Sequence, residues 1–335
     1  MAQPTMSDVH VNTPLTNLSV MYQQQEDAFV ASRVAPIVPV LKASDRYYVY
    51  TRADFNRDDM AKRAPGAESA GTGYRLDNTP TYSCDVWSLH KDIPDQVRAN
   101  MDSVLAPDLE ATKFLAIKSL ISREIQWASN FFVTGKWNTE YSGVASGAVA
   151  GTSVLKWSDG SSNPISDVRY MKRAIQLKSG GYRPNKLVLA RSVFDTLLDH
   201  PDFVDRVKYG QTAPQPAKVN AAVLATIFEV DEVLIMDSIY NSAIEGGTAA
   251  APTETNAFIA GDNALLCYVP PAPTLMSVAS MLTFAWTGYF GASAQGTRIK
   301  SFYMFWTEVT RVEIDAAYAL KMVGADLGGL FLGVI

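Results

Sequence analysis

Apolar residues recur at helical spacing along one long stretch of the chain, residues 108–133 (DLEATKFLAIKSLISREIQWASNFFV). They form two adjacent stripes, one of which includes Leu109, Trp127 and Phe131. Pro107 precedes the stretch, and acidic residues occupy its first turn, where they suit the helix dipole. The pattern predicts a helix over 108–133 that contacts its surroundings over a broad face.

Alternating apolar and polar residues predict a long hairpin before this helix. The segments RYYVYTR (46–52) and TYSCDVWSLHKDI (81–93) have the composition of strands. Residues 53–80 between them are charged and rich in Gly and Ala, with almost no large aliphatic side chains. Because such a segment cannot form a core of its own, we expect it to be an extended loop.

Alternation also predicts a long strand region over 300–319 (KSFYMFWTEVTRVEIDAAYA), with Phe302, Met304 and Trp306 on one face. The last ten residues, 326–335 (DLGGLFLGVI), are apolar and poorly suited to face water. Residues 1–44 form a polar arm interrupted by prolines. Since arm, loop and tail all lack an evident partner within the chain, we expect other copies of the chain to provide one.

A compact segment of mixed helix and strand lies between the hairpin and the tail. Asn163 and Pro164 begin a predicted helix that ends near Lys178, and KLVLA and VLIM read as buried strands. Two further short strands are expected to form a hairpin across residues 261–263. This succession is typical of an α/β unit.

Composition narrows the function classes. Charged residues make up 19% of the chain against roughly 25% in an ordinary domain, and hydrophobic residues make up 47%. The chain has no uninterrupted run of about 18 apolar residues, which a membrane helix would require. We therefore expect a soluble protein without a membrane partner. The net charge of -5 argues against a basic nucleic-acid-binding surface, although a local patch is compatible with it. The first residues do not form a secretion signal, which favours the cytoplasm.

The residues that could take part in catalysis or ligand binding do not form a catalytic motif. Cys84 and Cys267 are far apart and neither belongs to a C-x-x-C pair, which gives no support for a disulfide or zinc site. His200, between Asp and Pro, is either half of an acid–base pair or a polar residue at a helix end. The Gly-rich segment 288–298 lacks the Lys-Ser/Thr ending of a phosphate loop. We therefore expect no catalytic residues and no cofactor.

Four carboxylates flank the VLIM strand and have two interpretations. They are either a metal or paired-carboxylate site or the solvated ends of a buried strand. They are Glu229, Asp231, Glu232 and Asp237. We favour the second interpretation and expect no metal.

Charged residues of the extended loop are the candidates for contacts between subunits. They are Arg57, Lys62, Arg63, Glu68 and Arg75. The loop is either simply solvated or docks on a neighbouring subunit. Docking explains more, because it also gives the arm and the tail a partner.

The order of these elements resembles the major capsid proteins of tailed bacteriophages, the Hong-Kong-97-type family. The amino-acid sequence is most similar to this family in RPNKLVLARSVFDTLLDHPDFVDRVKYG and VLATIFEVDEVLIMDSIYNSA, and again in the terminal TRVEIDAAYALKMVGADLGGLF. The resemblance covers nearly the whole chain as an order of elements. It implies an α+β fold with the following parts: an N-terminal arm (1–44), an extended loop (45–94), a peripheral domain (95–164 and 273–335) that includes a spine helix (108–133), and an axial domain (165–272).

The resemblance implies a structural protein rather than an enzyme. Copies would assemble through hexamers and pentamers into the icosahedral head of a virion, built in the host cytoplasm around double-stranded DNA that is held without sequence readout. The implied partners are other copies, a portal, and separate scaffolding or decoration proteins. Some relatives crosslink a loop lysine, for which Lys62 lies in the right region, but no motif identifies its partner. An encapsulin-type shell and, from another class, a soluble α/β enzyme using Asp231, Glu232 or Asp237 are the alternatives.

Overall fold

The computed structural model describes residues 24–101, 106–210, 219–248, 251–273, 277–290 and 296–335. The helices are α1 (Ala31–Val34), α2 (Arg52–Phe55), α3 (Asp95–Ala99), α4 (Pro107–Phe131), α5 (Pro164–Ser179), α6 (Arg191–Asp199), α7 (Pro201–Gly210), α8 (Ala221–Phe228) and α9 (Thr287–Phe290), with 3-10 turns at Glu26–Ala28 and Ala325–Leu327. The strands are β1 (Ile37–Val40), β2 (Ser44–Arg46), β3 (Val49–Tyr50), β4 (Leu76–Asp77), β5 (Thr81–Ser83), β6 (Asp85–Pro94), β7 (Glu140–Val144), β8 (Ser153–Leu155), β9 (Lys186–Ala190), β10 (Glu232–Met236), β11 (Ile239–Asn241), β12 (Gly247–Thr248), β13 (Ala251–Pro252), β14 (Asn256–Phe258), β15 (Ala264–Cys267), β16 (Met281–Trp286), β17 (Thr297–Met304), β18 (Val309–Met322) and β19 (Gly328–Leu332).

The long helix α4 confirms the predicted helix over 108–133, although one residue of the expected apolar stripe is exposed. Leu115, Trp127 and Phe131 are buried, whereas Leu109 is exposed. The predicted stripe was wrong at Leu109 because the helix is apolar on more than one face, and periodicity alone does not show which face packs.

One sheet is built around β18. In the described part of the chain its order is β1-β16-β18-β17, and β6 also pairs with β18. The expected single strand over 300–319 is instead an antiparallel hairpin of β17 and β18, in which Met304 pairs with Val309. Alternation concealed the turn, since residues 305–308 contain neither Gly nor Pro and Glu308 takes a left-handed conformation with φ of 50°.

The second sheet has the order β10-β9-β15-β19-β7-β8 among the described residues. The tail strand β19 lies between β15 and β7, with Leu330 and Phe331 fully buried. The expectation that this apolar tail needs another copy is therefore wrong. Gly328 makes the close packing possible, because a Cβ there would lie 2.2 Å from Trp137 Cζ3.

The described part of the arm also packs within its own chain. Strand β1 pairs in parallel with β16. Val30 and Ala31 are buried, and their backbone N–H groups donate to the Glu124 carboxylate on α4 at 3.0 and 2.9 Å. The expectation of a partner in another copy is thus wrong for residues 29–40, since α4 offers both an apolar face and an acceptor. Residues 1–23 lie outside the described residues.

The hairpin expected across residues 261–263 is absent from the described structure. Strand β14 pairs with β11, whereas β15 pairs with β9 and β19. The segment after β14 thus passes from one sheet to another, which the local turn residues do not reveal. The division of the whole chain into arm, loop, peripheral and axial parts stays a prediction. Strand β19, from the region 273–335, lies in the same sheet as β9, β10 and β15 from the region 165–272.

Candidate assembly interface

The extended loop has the expected hairpin stem and an exposed end. Pairing of β2 with β5 and of β3 with β4 confirms a hairpin stem. The prediction was wrong for most of the returning strand, because β6 pairs with β18 and not with residues 46–52. Above it, residues 61–73 are all exposed. The aromatic rings of Tyr50, Phe55 and Tyr74 contact one another with centroids 5.7 to 5.9 Å apart, yet all three residues remain exposed. The stem therefore has a small aromatic cluster of its own, but it buries little.

Two of the five candidate contact residues form a fixed pair network within the loop. Arg75 donates from Nε and Nη2 to the two carboxylate oxygens of Asp54, each at 3.0 Å, and Arg57 lies 3.7 Å away. The Arg75 hydrogen bonds hold the pKa of Asp54 below its usual range. Because Arg57 and Arg75 are themselves exposed, they present positive charge from a defined position.

The other three candidates lie at the exposed end of the loop. Arg63 donates from Nε to the Ala67 carbonyl, which closes a local turn. Within the described residues, Lys62 and Glu68 form no ion pair or side-chain hydrogen bond and project into solvent. The structure thus brings the five candidates into one loop, where Lys62 and Glu68 are available to a partner.

The end of β17 and the start of the turn that follows it form a second exposed surface, which we call the aromatic tip (residues 303–306). Trp306 is 95% exposed and Phe305 is 82% exposed. Tyr303 is anchored by a hydrogen bond from its hydroxyl to Asp95 Oδ2 at 2.9 Å. Sequence reasoning missed this surface because it placed Trp306 on a strand face. The aromatic run before the polar Thr307 and Glu308 is the signal that could have indicated it.

The candidate catalytic groups have structural roles. His200 is buried, with Nδ1 accepting from the Asp202 backbone N–H and Nε2 3.1 Å from Ser162 Oγ. Both cysteines are buried, and desolvation raises the pKa of Cys84 to about 11 and that of Cys267 to about 12, which disfavours a reactive thiolate.

Three of the four carboxylates around β10, Glu229, Glu232 and Asp237, are held by different basic groups rather than gathered into one site. Glu232 contacts Lys186 and Arg33, and Asp237 contacts Arg191. In the described ranges there is no group of three or more His, Cys, Asp or Glu residues suited to a metal ion. Nor does any helix there combine the length and apolarity needed to cross a membrane.

Comparisons with known proteins find similarity to phage capsid proteins. Residues 140–279 match the family model of phage major capsid protein E. A curated relative, the major capsid protein of Burkholderia phage BcepMu, is 26% identical over 262 residues, which cover 78% of this chain and 76% of the relative.

Two solved structures extend the similarity to nearly the whole chain. A phage-related protein from Bordetella bronchiseptica has a TM-score of 0.67 at 18% identity, covering 93% of this chain and 94% of that chain. The mature capsid of bacteriophage PhiM1 has a TM-score of 0.59 at 15% identity, covering 97% and 93%. At these identities the two structures establish a shared fold.

Proposed function

We infer that this chain, which has the Hong-Kong-97-type capsid fold, is the major capsid protein of a tailed phage. The family match over residues 140–279 and the BcepMu relative support the same function from sequence. The chain is therefore a structural component of the virion shell that associates with copies of itself.

Exposure of the aromatic tip is the observation that carries the assembly mechanism. The tail and residues 29–40 pack within the chain, whereas Phe305 and Trp306 remain exposed to water. Aromatic side chains each remove roughly 150–250 Å² from water when buried, and they dominate the binding free energy of many interfaces. We propose that the aromatic tip packs against a neighbouring subunit.

The extended loop supplies the second contact in this proposal. It exposes Lys62 and Glu68 together with Arg57, Arg63 and Arg75. Because exposed charges add little free energy, these residues select the partner and its register more than they stabilise the contact. Each contact can be weak when every subunit makes several of them.

The finer organisation is likewise a proposal, made by analogy with the Hong-Kong-97-type fold. Residues 165–272 would form the axial domain, gathered at the centres of hexamers and pentamers, with the loop 45–94 lying over adjacent subunits. The shell would enclose double-stranded DNA without reading its sequence. A portal and separate scaffolding or decoration proteins would complete the head, which assembles in the host cytoplasm.

Sedimentation velocity and negative-stain electron microscopy of the purified chain test the proposal. We expect capsomers or shells for the native chain and for Val149→Ser, an exposed apolar residue outside the tip, the loop 45–94 and residues 165–272. We expect smaller species for the double variant Phe305→Ser/Trp306→Ser. Monomers of the native chain at every concentration would refute the shell function. Particles from the producing host that contain an enzyme cargo and no DNA would identify an encapsulin instead.

A further inference from the structure

A cavity of about 110 Å³ lies between α5 and the carboxyl end of α8. Its charged lining consists of four cationic side chains and a single carboxylate: Arg169, Lys172, Arg173, Arg183 and Glu229. This concentration of positive charge stands out in a chain whose net charge is -5. We propose that the cavity binds a phosphate group.

Two of the cations lie on one face of α5, and no acidic side chain beside them on the helix balances their charge. Arg169 and Arg173 are four residues apart, so their side chains are neighbours on the helix and repel each other. No Asp or Glu lies three or four residues from either one on α5. In the described part of the chain neither guanidinium has an ion pair, and both are exposed at the cavity rim. A bound anion would remove this repulsion.

Lys172 fixes a third positive charge at the inner wall. Its side chain is 5% exposed, and Nζ donates to the carbonyl oxygens of Phe228 and Glu229 at 2.8 and 2.6 Å. These bonds cap the carboxyl end of α8, which favours a cation. Desolvation, and secondly the charge of Arg183, lower the pKa of Lys172. The crowding of cations thus has a cost that an anion in the cavity would offset.

The single carboxylate does not neutralise the site. Glu229 Oε2 lies 3.3 Å from Arg183 Nη2 and 3.9 Å from Lys172 Nζ, so one acidic group serves two cations. The planar guanidinium groups of Arg169 and Arg173 match the geometry of phosphate oxygens and can bind them through two parallel N–H groups. A phosphate ester of DNA and free inorganic phosphate share this chemistry.

Titration of the unassembled protein with inorganic phosphate at constant ionic strength, followed by ³¹P NMR line broadening, tests the proposal. We expect the double variant Arg169→Gln/Arg173→Gln to lose at least tenfold in phosphate affinity. Lys113→Gln/Lys136→Gln removes the same charge from exposed positions outside the cavity and should bind within twofold of the native chain. Lys172 is left unchanged because it caps α8. A circular-dichroism melt checks that both variants fold.

A second titration with a 20-base-pair DNA duplex distinguishes the sources. Loss of both phosphate and duplex binding in Arg169→Gln/Arg173→Gln would support the site and identify the DNA backbone as its ligand. Loss of phosphate binding alone would support the site with free phosphate as its ligand. Equal phosphate affinity of the native and variant chains would overturn the proposal, as would failure of the native chain to bind either ligand. Since the chain is unassembled, none of these results depends on shell formation.

Discussion

Phe331 and Trp306 are large aromatic residues of the same C-terminal region, yet the fold places them in opposite environments. Phe331 on β19 is fully buried, with ring centroids 5.0 Å from Trp157 and 5.8 Å from Tyr141. Trp306 at the aromatic tip is 95% exposed. Apolar character alone therefore does not decide burial within the chain. What decides it is whether other elements of the chain cover the side chain. Phe331 lies on an interior strand of the six-stranded sheet and packs against Trp157 and Tyr141, whereas Trp306 lies in the turn beyond the last pair of its hairpin, Met304 with Val309.

The largest expected effect comes from truncating each of these aromatics. Phe331→Ala should lower the free energy of unfolding by about 3–5 kcal/mol, since it leaves a cavity in the core. Trp306→Ala should change it by less than about 0.5 kcal/mol, because the side chain contacts mostly water. Urea unfolding of the unassembled protein measures both. Equal destabilisation by the two variants would break the comparison.

The contact between the arm and α4 gives the next largest effect, through pH. Burial raises the pKa of Glu124 to about 7 from its usual 4.5, against the opposing effect of the Val30 and Ala31 N–H groups and of Arg123. A folded-state pKa above the unfolded value means that the stabilisation is fully present below pH 4.5 and is lost as pH rises through about 7.

We therefore expect the stability of the native chain, measured relative to Glu124→Gln, to fall by up to about 3 kcal/mol between pH 5 and pH 8. Urea unfolding at several pH values gives this difference. The Glu124→Gln variant is the control for the native chain, because glutamine does not titrate. A difference that stays constant across this range would show that the residue 29–40 segment is not closed onto α4 through an ionisable contact.

A smaller effect is expected in the loop, on the open side of the comparison. Arg75→Gln removes the paired hydrogen bonds to Asp54. Amide hydrogen exchange should become faster in residues 49–77, without a change in the midpoint of global unfolding. The matched variant Lys62→Gln should leave this exchange unchanged. If both variants behaved alike, the Asp54 network would not shape the loop.

The smallest expected effect concerns the end of the loop. Lys62→Gln/Glu68→Gln should leave stability within about 0.5 kcal/mol of the native value. It should alter the rate of shell assembly at low salt, with the difference shrinking at high salt as the charges are screened. Light scattering during assembly follows this rate. If the native chain and the double variant assembled at identical rates at all salt concentrations, Lys62 and Glu68 would not take part in the contact between subunits.

The sequence predicted the elements whose signals are local. Pro107 and the acidic first turn marked the start of α4, and the composition of residues 53–80 indicated a loop without a core. The α5 helix likewise begins at Pro164, where the Asn163 side chain accepts from the Ser166 N–H. These signals are sufficient because helix caps and loop composition do not depend on distant residues.

The features that depend on distant partners were not predictable. The insertion of β19 between β15 and β7 requires chain from three separate regions, and nothing within DLGGLFLGVI specifies it. The turn at residues 305–308 lacks Gly and Pro, so the aromatic tip was hidden inside an apparently continuous strand. The cationic cavity was missed for a related reason, because Arg169 and Arg183 come together only through the packing of α5.

A cryo-electron microscopy reconstruction of the assembled particle tests the central claim most directly. Our account predicts a closed icosahedral shell in which Trp306 and the end of the extended loop are buried against neighbouring subunits, while Phe331 keeps the same intrachain contacts. A shell in which Trp306 still faces solvent, or a protein that forms no shell, would contradict it.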